Sequence, residues 1–262
     1  MTSDLIYRIT DLERSYLDHN ETVQKIDKRI WAIAARLRGS NEDGKLDKVA
    51  IGRDQKAVKA GKCDNPVLVM LTADLVSARN MLEARQNAVA DEMIELAKGL
   101  PCYEWFTAHR GLKDLLFARL IANIGNDLAK FDHPAKLWKR FGLDVVDGKA
   151  PKAQRGVQLT YAPRRKAFAL GVIGTNLMMQ NPRWKAVYDW RKQYERDRAV
   201  EKGLKIRPSA SITPKNRAES MSDGHIHARA RRYMVKQFLR AFWEEWTGDT
   251  AGDLPAFIRE AA

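Results

Sequence analysis

From Leu5 onward, apolar side chains recur in alternating steps of four and three: Leu5, Ile9, Leu12, Tyr16, then His19, then Val23, Ile26, Ile30, Ile33 and Leu37. A repeat of that kind draws one narrow apolar stripe along a helix, and the stripe must be covered by another helix. His19 is its polar intrusion, either a register-fixing group or a tolerated seam residue. Gly39-Ser40-Asn41 stops the helix, and the charged, Gly-containing stretch that follows, up to Asn65, reads as a long connection. Asn65 is an N-cap with Pro66 at the first helical position. A second seam then runs through Leu68, Leu71, Leu75, Ala78, Leu82, Arg85, Val89, Met93 and Leu96, ending at Gly99 and Pro101. Two such helices, each roughly 50 Å long at the α-helical rise, predict an antiparallel coiled-coil hairpin over residues 1–100. Its expected role is homodimerisation, with a purely intramolecular helical subdomain as the alternative.

The second half differs in charge. Residues 1–100 carry 16 Lys/Arg against 16 Asp/Glu, whereas residues 101–262 carry 30 against 17. The net +13 is therefore a local field, densest between Lys136 and Arg240, where 25 basic face 8 acidic side chains. Clustering on that scale points to a polyanion, nucleic acid first, over a merely solvated basic face. Cys63 and Cys102 are the two cysteines, far apart and without paired Cys/His spacing, so neither a disulfide framework nor a zinc site is expected. No uncharged apolar run approaches 18 residues, and no metal, cofactor or membrane partner is anticipated. The expected setting is cytoplasmic, with nucleoid association in view.

Residues 101–262 predict a compact, basic helical domain, making the whole chain all-α. Tyr103-Glu104-Trp105-Phe106 enters it, and His109-Arg110-Gly111-Leu112 forms a glycine turn ahead of the helical run LLFARLIANIG. Arg110, Gly111 and Lys113 thus sit where a helix N-terminus offers unsatisfied N–H groups to a phosphate, in a helix-hairpin-helix-like element. Phe131, Leu137, Trp138 and Phe141 belong to a short helix closed by Gly142. Between Asp147 and Ala167, Lys149, Lys152, Arg155, Arg164, Arg165 and Lys166 are expected on loops, held out to solvent. Trp184, Val187, Tyr188, Arg191, Tyr194 and Arg198 recur at helical spacing, as core or as base-stacking aromatics. Lys202 to Gly224 reads as a mobile surface loop. The last helix, from His225 to Trp246, is expected to be amphipathic, with Arg229, Arg231, Arg232, Lys236 and Arg240 off its apolar side on a basic solvent face. His225 and His227 are two apart, the wrong spacing for a metal on one helical face.

Taken together, the glycine turn at Arg110-Gly111, the I-A-x-I-G ending at Gly125, the F-x-x-P-x-x-L-W-x-x-x-G-L segment from Phe131 to Leu143 and the terminal A-R-x-x-x-x-x-F-L resemble the C-terminal transposase domain of the bridge-RNA-guided insertion-sequence transposases. The resemblance spans roughly Leu100 to Trp246, and a preceding coiled coil is similar to that family's layout. It implies roles in transposition or recombination, and the expected partner is nucleic acid, DNA first with structured RNA as the alternative. Two departures qualify it. The family's RuvC-like N-terminal domain, with its metal-binding carboxylates, is replaced by the helical hairpin. Where the family has a nucleophilic serine in a Ser-Gly-Gly-Lys-like turn, this chain reads Val145-Val146-Asp147-Gly148-Lys149, and a carboxylate does not replace that hydroxyl.

The expectation is accordingly a nucleic-acid-binding protein without a catalytic residue of its own. Tyr161, Ser209 and Ser211 are the hydroxyls considered as unorthodox nucleophiles, each better read as an ordinary polar residue. The alternatives are a transposase or recombinase acting with a partner subunit, and a coiled-coil adaptor protein.

Overall fold

Helix α1 (Thr2–Arg38) and helix α3 (Pro66–Lys98) are the two long helices expected from the seams. The computed structural model describes residues 2–41, 43–145, 150–151, 155–156, 158–252 and 258. The fold is all-α, and its strands among the described residues are two three-residue segments. None of the described helices is long and apolar enough to cross a membrane. The chain divides into two compact units, Arg8–Glu95, and Met1–Tyr7 together with Leu96–Ala262.

In the unit Arg8–Glu95, α1 and α3 run antiparallel, since Arg8 meets Glu92 at 2.7 Å and Asp27 meets Arg79 at 3.0 Å. The segment between them corrects the expected long connection, because it contains helix α2 (Lys48–Lys59). Asp47 caps α2 by accepting from the Val49 and Ala50 amides, and Ala50, Ile51 and Val58 turn inward. The periodicity was weak because only those three positions are buried. Ile26, Ile30, Ala34 and Ala35 of α1, Ile51 and Val58 of α2 and Leu68 of α3 form one core. Asp27 ties the three helices together, accepting from Lys59 Nζ at 3.1 Å and Arg79 Nε at 3.0 Å, while the Gln55 amide donates to its backbone carbonyl.

The seams hold in part. Ile9, Leu12, Val23, Ile26 and Ile30 are buried, but Leu37 is 42% exposed and Ala34 and Ala35 take the inner positions at that end. On α3 the buried set is Leu68, Thr72, Gln86, Ala90, Met93 and Ala97, whereas Leu71 is 50% exposed and Arg85 lies in solvent. A helix with 3.6 residues per turn drifts against a strict seven-residue repeat, which moves the inward face by a residue within a few turns. Thr72 is tolerated inside because its hydroxyl donates to the Leu68 carbonyl at 2.7 Å. Asn65 caps α3 as expected, accepting from the Val67 and Leu68 amides, with Pro66 first in the helix.

The other unit is built around its last helix. Helix α4 (Tyr103–Ala108), the Arg110-Gly111 turn and helix α5 (Asp114–Ile124) come first, followed by helix α6 (Pro134–Arg140). Helix α7 (Pro163–Ala167) passes through a π-helical stretch, Phe168–Ile173, into helix α8 (Gly174–Gln180). Helix α9 (Pro182–Glu201) starts at the Asn181 cap, and helix α10 (Asp223–Thr247) packs against α6, α8 and α9. Phe106, Phe117, Trp184, Phe238 and Phe242 are fully enclosed in an aromatic core with edge-on and tilted rings. Between α9 and α10, strands β1 (Lys205–Arg207) and β2 (Ser220–Ser222) pair in parallel, Ile206 opposite Met221. The expected mobile loop from Lys202 to Gly224 is thus pinned at both ends by main-chain hydrogen bonds.

Candidate nucleic-acid interface

Three tryptophan N–H groups place α6 and the chain before it on α10. Trp138 donates to the Lys236 carbonyl at 2.9 Å, Trp243 to the Phe131 carbonyl at 2.7 Å, and Trp246 to an Asp127 carboxylate oxygen at 3.1 Å. An indole N–H shielded from water gains by finding an acceptor, so each bond fixes the approach of one element to the next. The result brings the basic side chains of α6, α7 and α10 into one neighbourhood.

Arg232 and Lys236 overturn the expected solvent face of the last helix. Val235, Gln237, Leu239, Arg240 and Ala241 are buried in addition to the apolar stripe, because α6, α8 and α9 surround α10. Arg229, Arg231, Arg232 and Lys236 are half-buried, and Arg240 is buried, donating to Glu244 at 2.8 Å and to the Gly252 carbonyl. Arg229 donates at 3.0 Å to Glu195, which is enclosed and also receives Arg191. Lys236 extends over the Trp138 ring, 4.0 Å from its centre. Burial pushes the Lys236 ammonium down, with Arg232 adding to the effect, and burial followed by Arg229 does the same to Arg232. Neither Arg232 nor Lys236 forms an ion pair among the described residues.

The stretch expected as a solvent-facing loop also differs. Arg164, Arg165 and Lys166 lie on α7, which leaves Arg164 exposed and turns Arg165 and Lys166 half inward. Lys166 Nζ donates to the Pro151 carbonyl at 2.9 Å and sits 4.8 Å from the Tyr161 ring centre. Arg155 is exposed, as expected. Lys149 and Lys152, and the Val146 to Lys149 segment compared with the serine turn, lie outside the described residues.

Opposite α7, Arg140 closes α6 half-buried, and its Nε is enclosed without a hydrogen-bond partner. Arg140 and Arg165 line a cavity of about 270 Å³ with Lys136, Lys139, Thr160 and Tyr161. Two glycines make room for its walls. At Gly142, φ +63°, a Cβ would lie 2.4 Å from the Tyr161 ring, and at Gly125, φ +65°, it would lie 2.9 Å from Arg140 Nη2. Burial and then the Arg165 charge lower the Arg140 guanidinium, and burial lowers Arg165.

Around the glycine turn, Arg110 is exposed and lines a larger cleft of about 470 Å³ with Trp105, His109, Asn181, Pro182 and Arg183. Gly111 takes φ +91°, and a Cβ there would lie 2.8 Å from Gln180 Cβ, so the turn is held tightly against α8. Lys113 is exposed at the N-cap of α5, and Asp114 occupies the first turn, accepting from the Tyr103 hydroxyl at 2.9 Å. That carboxylate already supplies negative charge where a phosphate was expected.

Among the aromatics, Trp184 and Tyr188 are core, and Tyr188 shares a 2.8 Å hydrogen bond with His227. Trp190 and Tyr194, 41% and 42% exposed, stack with ring centres 6.0 Å apart. The Arg191 guanidinium sits 4.5 Å from the Tyr194 and Tyr233 ring centres. Lys136, Lys139, Arg140, Arg183 and Trp190 are not among the sequence-derived candidates, although the Lys139-Arg140 pair closing a helix ahead of Phe141-Gly142 is a readable signal. Ser209 and Ser211 lie on a short helical turn, Ser209–Ser211, and are exposed. Cys102 is the one described thiol in a left-handed backbone conformation, and burial, then Glu245, pushes it up to about 12, which keeps it protonated and inert at neutral pH.

No protein-family model matches the chain, and neither a curated protein nor a solved structure does.

Proposed function

We propose that the protein binds nucleic acid, DNA before structured RNA, through the unit that contains α4 to α10, and that it does so without a chemical step of its own. The observation that carries this reading is the set Arg140, Arg165, Arg232 and Lys236. All four are half-buried, yet none has an ion-pair partner among the described residues. Asp144 offsets part of the charge of Arg232 and Lys236, but burial prevails at all four, and cations kept out of water raise the energy of the free protein, which an external polyanion relieves. Exposed Arg110, Lys139, Arg164 and Arg183 extend the positive surface, and the Trp190–Tyr194 stack beside Arg191 offers a platform for an unpaired base. The similarity to a transposase C-terminal domain supports the same reading, and Asp147 in place of the serine supports binding over strand transfer.

Fluorescence anisotropy with a labelled duplex, titrated over a series of salt concentrations, tests it. Counterion release predicts that log K falls linearly with log salt, by about 0.9 for each phosphate neutralised. A triple Arg110→Ala, Arg164→Ala, Arg183→Ala variant is expected to flatten that slope while keeping the helical signal. Affinity that barely changes with salt sinks the reading.

A homodimer built through the unit Arg8–Glu95 is the second part of the proposal. Val67, Val69, Met70 and Leu71 support it, an apolar run exposed at the start of α3. Light scattering is expected to give twice the chain mass for the wild type and the single chain mass for Met70→Glu with Leu71→Glu.

A further inference from the structure

The cavity between α6 and α7 combines features that a merely basic surface lacks. Arg140 projects from the last turn of α6 and Arg165 from α7, and both line the same 270 Å³ space. Neither guanidinium forms an ion pair or a side-chain hydrogen bond among the described residues, and Arg140 Nε is fully enclosed without a partner. A guanidinium N–H shut away from water and left unbonded is costly, and no carboxylate pairs with the Arg140 charge among the described residues. The two side chains are near enough for the Arg165 charge to act against that of Arg140. Such mutual repulsion is relieved by an anion that contacts both.

The walls specify what kind of anion. Thr160 brings a neutral hydroxyl and Lys139 an ammonium at the rim, while the Tyr161 hydroxyl is engaged by the Pro151 carbonyl at 3.4 Å and the ring serves as a wall. Lys136 contributes less, since its Nζ is engaged by Asp132 at 2.8 Å. Planar forks from two arginines match an oxyanion with several acceptor oxygens, which a guanidinium can meet with two parallel N–H bonds. The volume falls below the range of roughly 300–1,000 Å³ common for drug-sized ligands, so it suits a small group in place of a whole dinucleotide. The glycines at 125 and 142 let Arg140 and the Tyr161 ring take these positions, because a methyl group at either would meet one of them.

We infer that this cavity is a binding site for a single phosphate group, held by the guanidinium groups of Arg140 and Arg165, with Lys139 at its mouth and the Thr160 hydroxyl as a neutral donor. The inference rests on the nucleic-acid reading for the source of that phosphate, an internal phosphodiester of a bound strand, but the pocket chemistry also accepts inorganic phosphate. In a bound complex it serves as the anchor point that sets the register of the strand, with the exposed arginines adding affinity that is independent of position.

The experiment uses the full chain and two probes. Inorganic phosphate is titrated at constant ionic strength against chloride while the melting temperature is followed, and duplex affinity is measured by anisotropy in phosphate-free buffer. Both are repeated with Arg165→Gln and Arg140→Gln, with Arg53→Ala, at an exposed position of the unit Arg8–Glu95, as the control. The expected result is a rise in Tm with phosphate for the wild type and Arg53→Ala, and roughly tenfold or greater loss of phosphate and duplex affinity in the two glutamine variants. Should the arginine variants fail to fold, Lys139→Gln, whose side chain is exposed, is expected to give a several-fold loss of the same two affinities.

The outcomes separate the two readings. Phosphate stabilisation that disappears in Arg165→Gln, with no duplex binding by any variant, supports the pocket and removes the nucleic-acid reading. Loss of duplex affinity in Arg165→Gln without any effect of free phosphate supports a phosphodiester as the occupant. Equal phosphate stabilisation in wild type and both glutamine variants overturns the pocket. So does unchanged duplex affinity in those variants when free phosphate stabilises none of them, and that result leaves the nucleic-acid reading standing.

Discussion

The Trp138 indole N–H donates to the backbone carbonyl of Lys236 at 2.9 Å, while the ammonium of the same lysine lies 4.0 Å from the centre of the Trp138 ring. The two contacts lock α6 to α10 at one point and steer the Lys236 side chain. They also account for a lysine that stays half-buried without a carboxylate in ion-pair contact: the ring face adds to the attraction of Asp144.

Trp138→Phe keeps a ring but loses the N–H bond and the stronger cation–π partner. The expected loss is about 1–2 kcal/mol of stability, read from urea unfolding. A variant as stable as the wild type contradicts this account of the α6–α10 junction.

Among the described glycines, Gly142 has the closest neighbour to an added Cβ, the Tyr161 ring at 2.4 Å. Alanine there forces a left-handed residue and a Cβ into the Tyr161 ring, and is expected to lose about 2–4 kcal/mol. Adding Tyr161→Ala removes the clash but not the backbone strain, so the double variant should be less destabilised than the sum of the two single changes. Strict additivity in the double-mutant cycle argues against the contact.

Acidification should destabilise the protein in two stages. Burial, then Arg231 and Lys192, holds His227 below its ordinary value of 6.5, so the unfolded chain takes up its proton first and stability falls as pH drops through that value. Burial acts to raise Glu195, but Arg229 and Arg191 outweigh it and hold the carboxyl below its ordinary 4.5, so a second loss follows as pH falls below that point. Urea midpoints measured across pH are expected to show the upper step reduced in His227→Gln and the lower step reduced in Glu195→Gln. Steps unchanged by these substitutions assign the pH dependence elsewhere.

Helix α2 offers a test of the other unit. Ile51 is fully buried, and Ile51→Ala is expected to lose about 2–4 kcal/mol. Asp47→Ala, which removes the cap, should lose about 1 kcal/mol. Both changes would be silent if the segment were an unstructured connection, and thermal or urea melts distinguish the cases.

Where the residues that decide a feature are neighbours in sequence, the feature was legible. The α1 seam from Ile9 to Ile30, the Asn65-Pro66 start of α3 and the glycine stops after α1 and α5 all follow from local periodicity, capping and left-handed glycine. The all-α architecture and the charge difference between the halves belong to the same class. Helix α2 escaped because three buried side chains in twelve make a weak pattern, and its cap is an ordinary-looking aspartate. The phase of α3 was lost because Thr72 and Gln86 point inward while Leu71 points out, a choice made by what faces the helix and not by the hydrophobicity of each residue.

The basic residues show the limit most clearly. Lys and Arg were counted correctly as an excess, but sequence periodicity could not say that α10 is enclosed by α6, α8 and α9, so Arg232 and Lys236 were placed in solvent. The convergence of Arg140 and Arg165 on one cavity depends on glycines 125 and 142, and on three indole bonds spanning about a hundred residues of chain. Sequence alone determined the strongly patterned helices and which half carries the positive field, because short-range backbone and charge chemistry govern both. Only the tertiary structure decided which of those charges lose their water and meet, because desolvation depends on every element packed around a side chain and no local pattern encodes it.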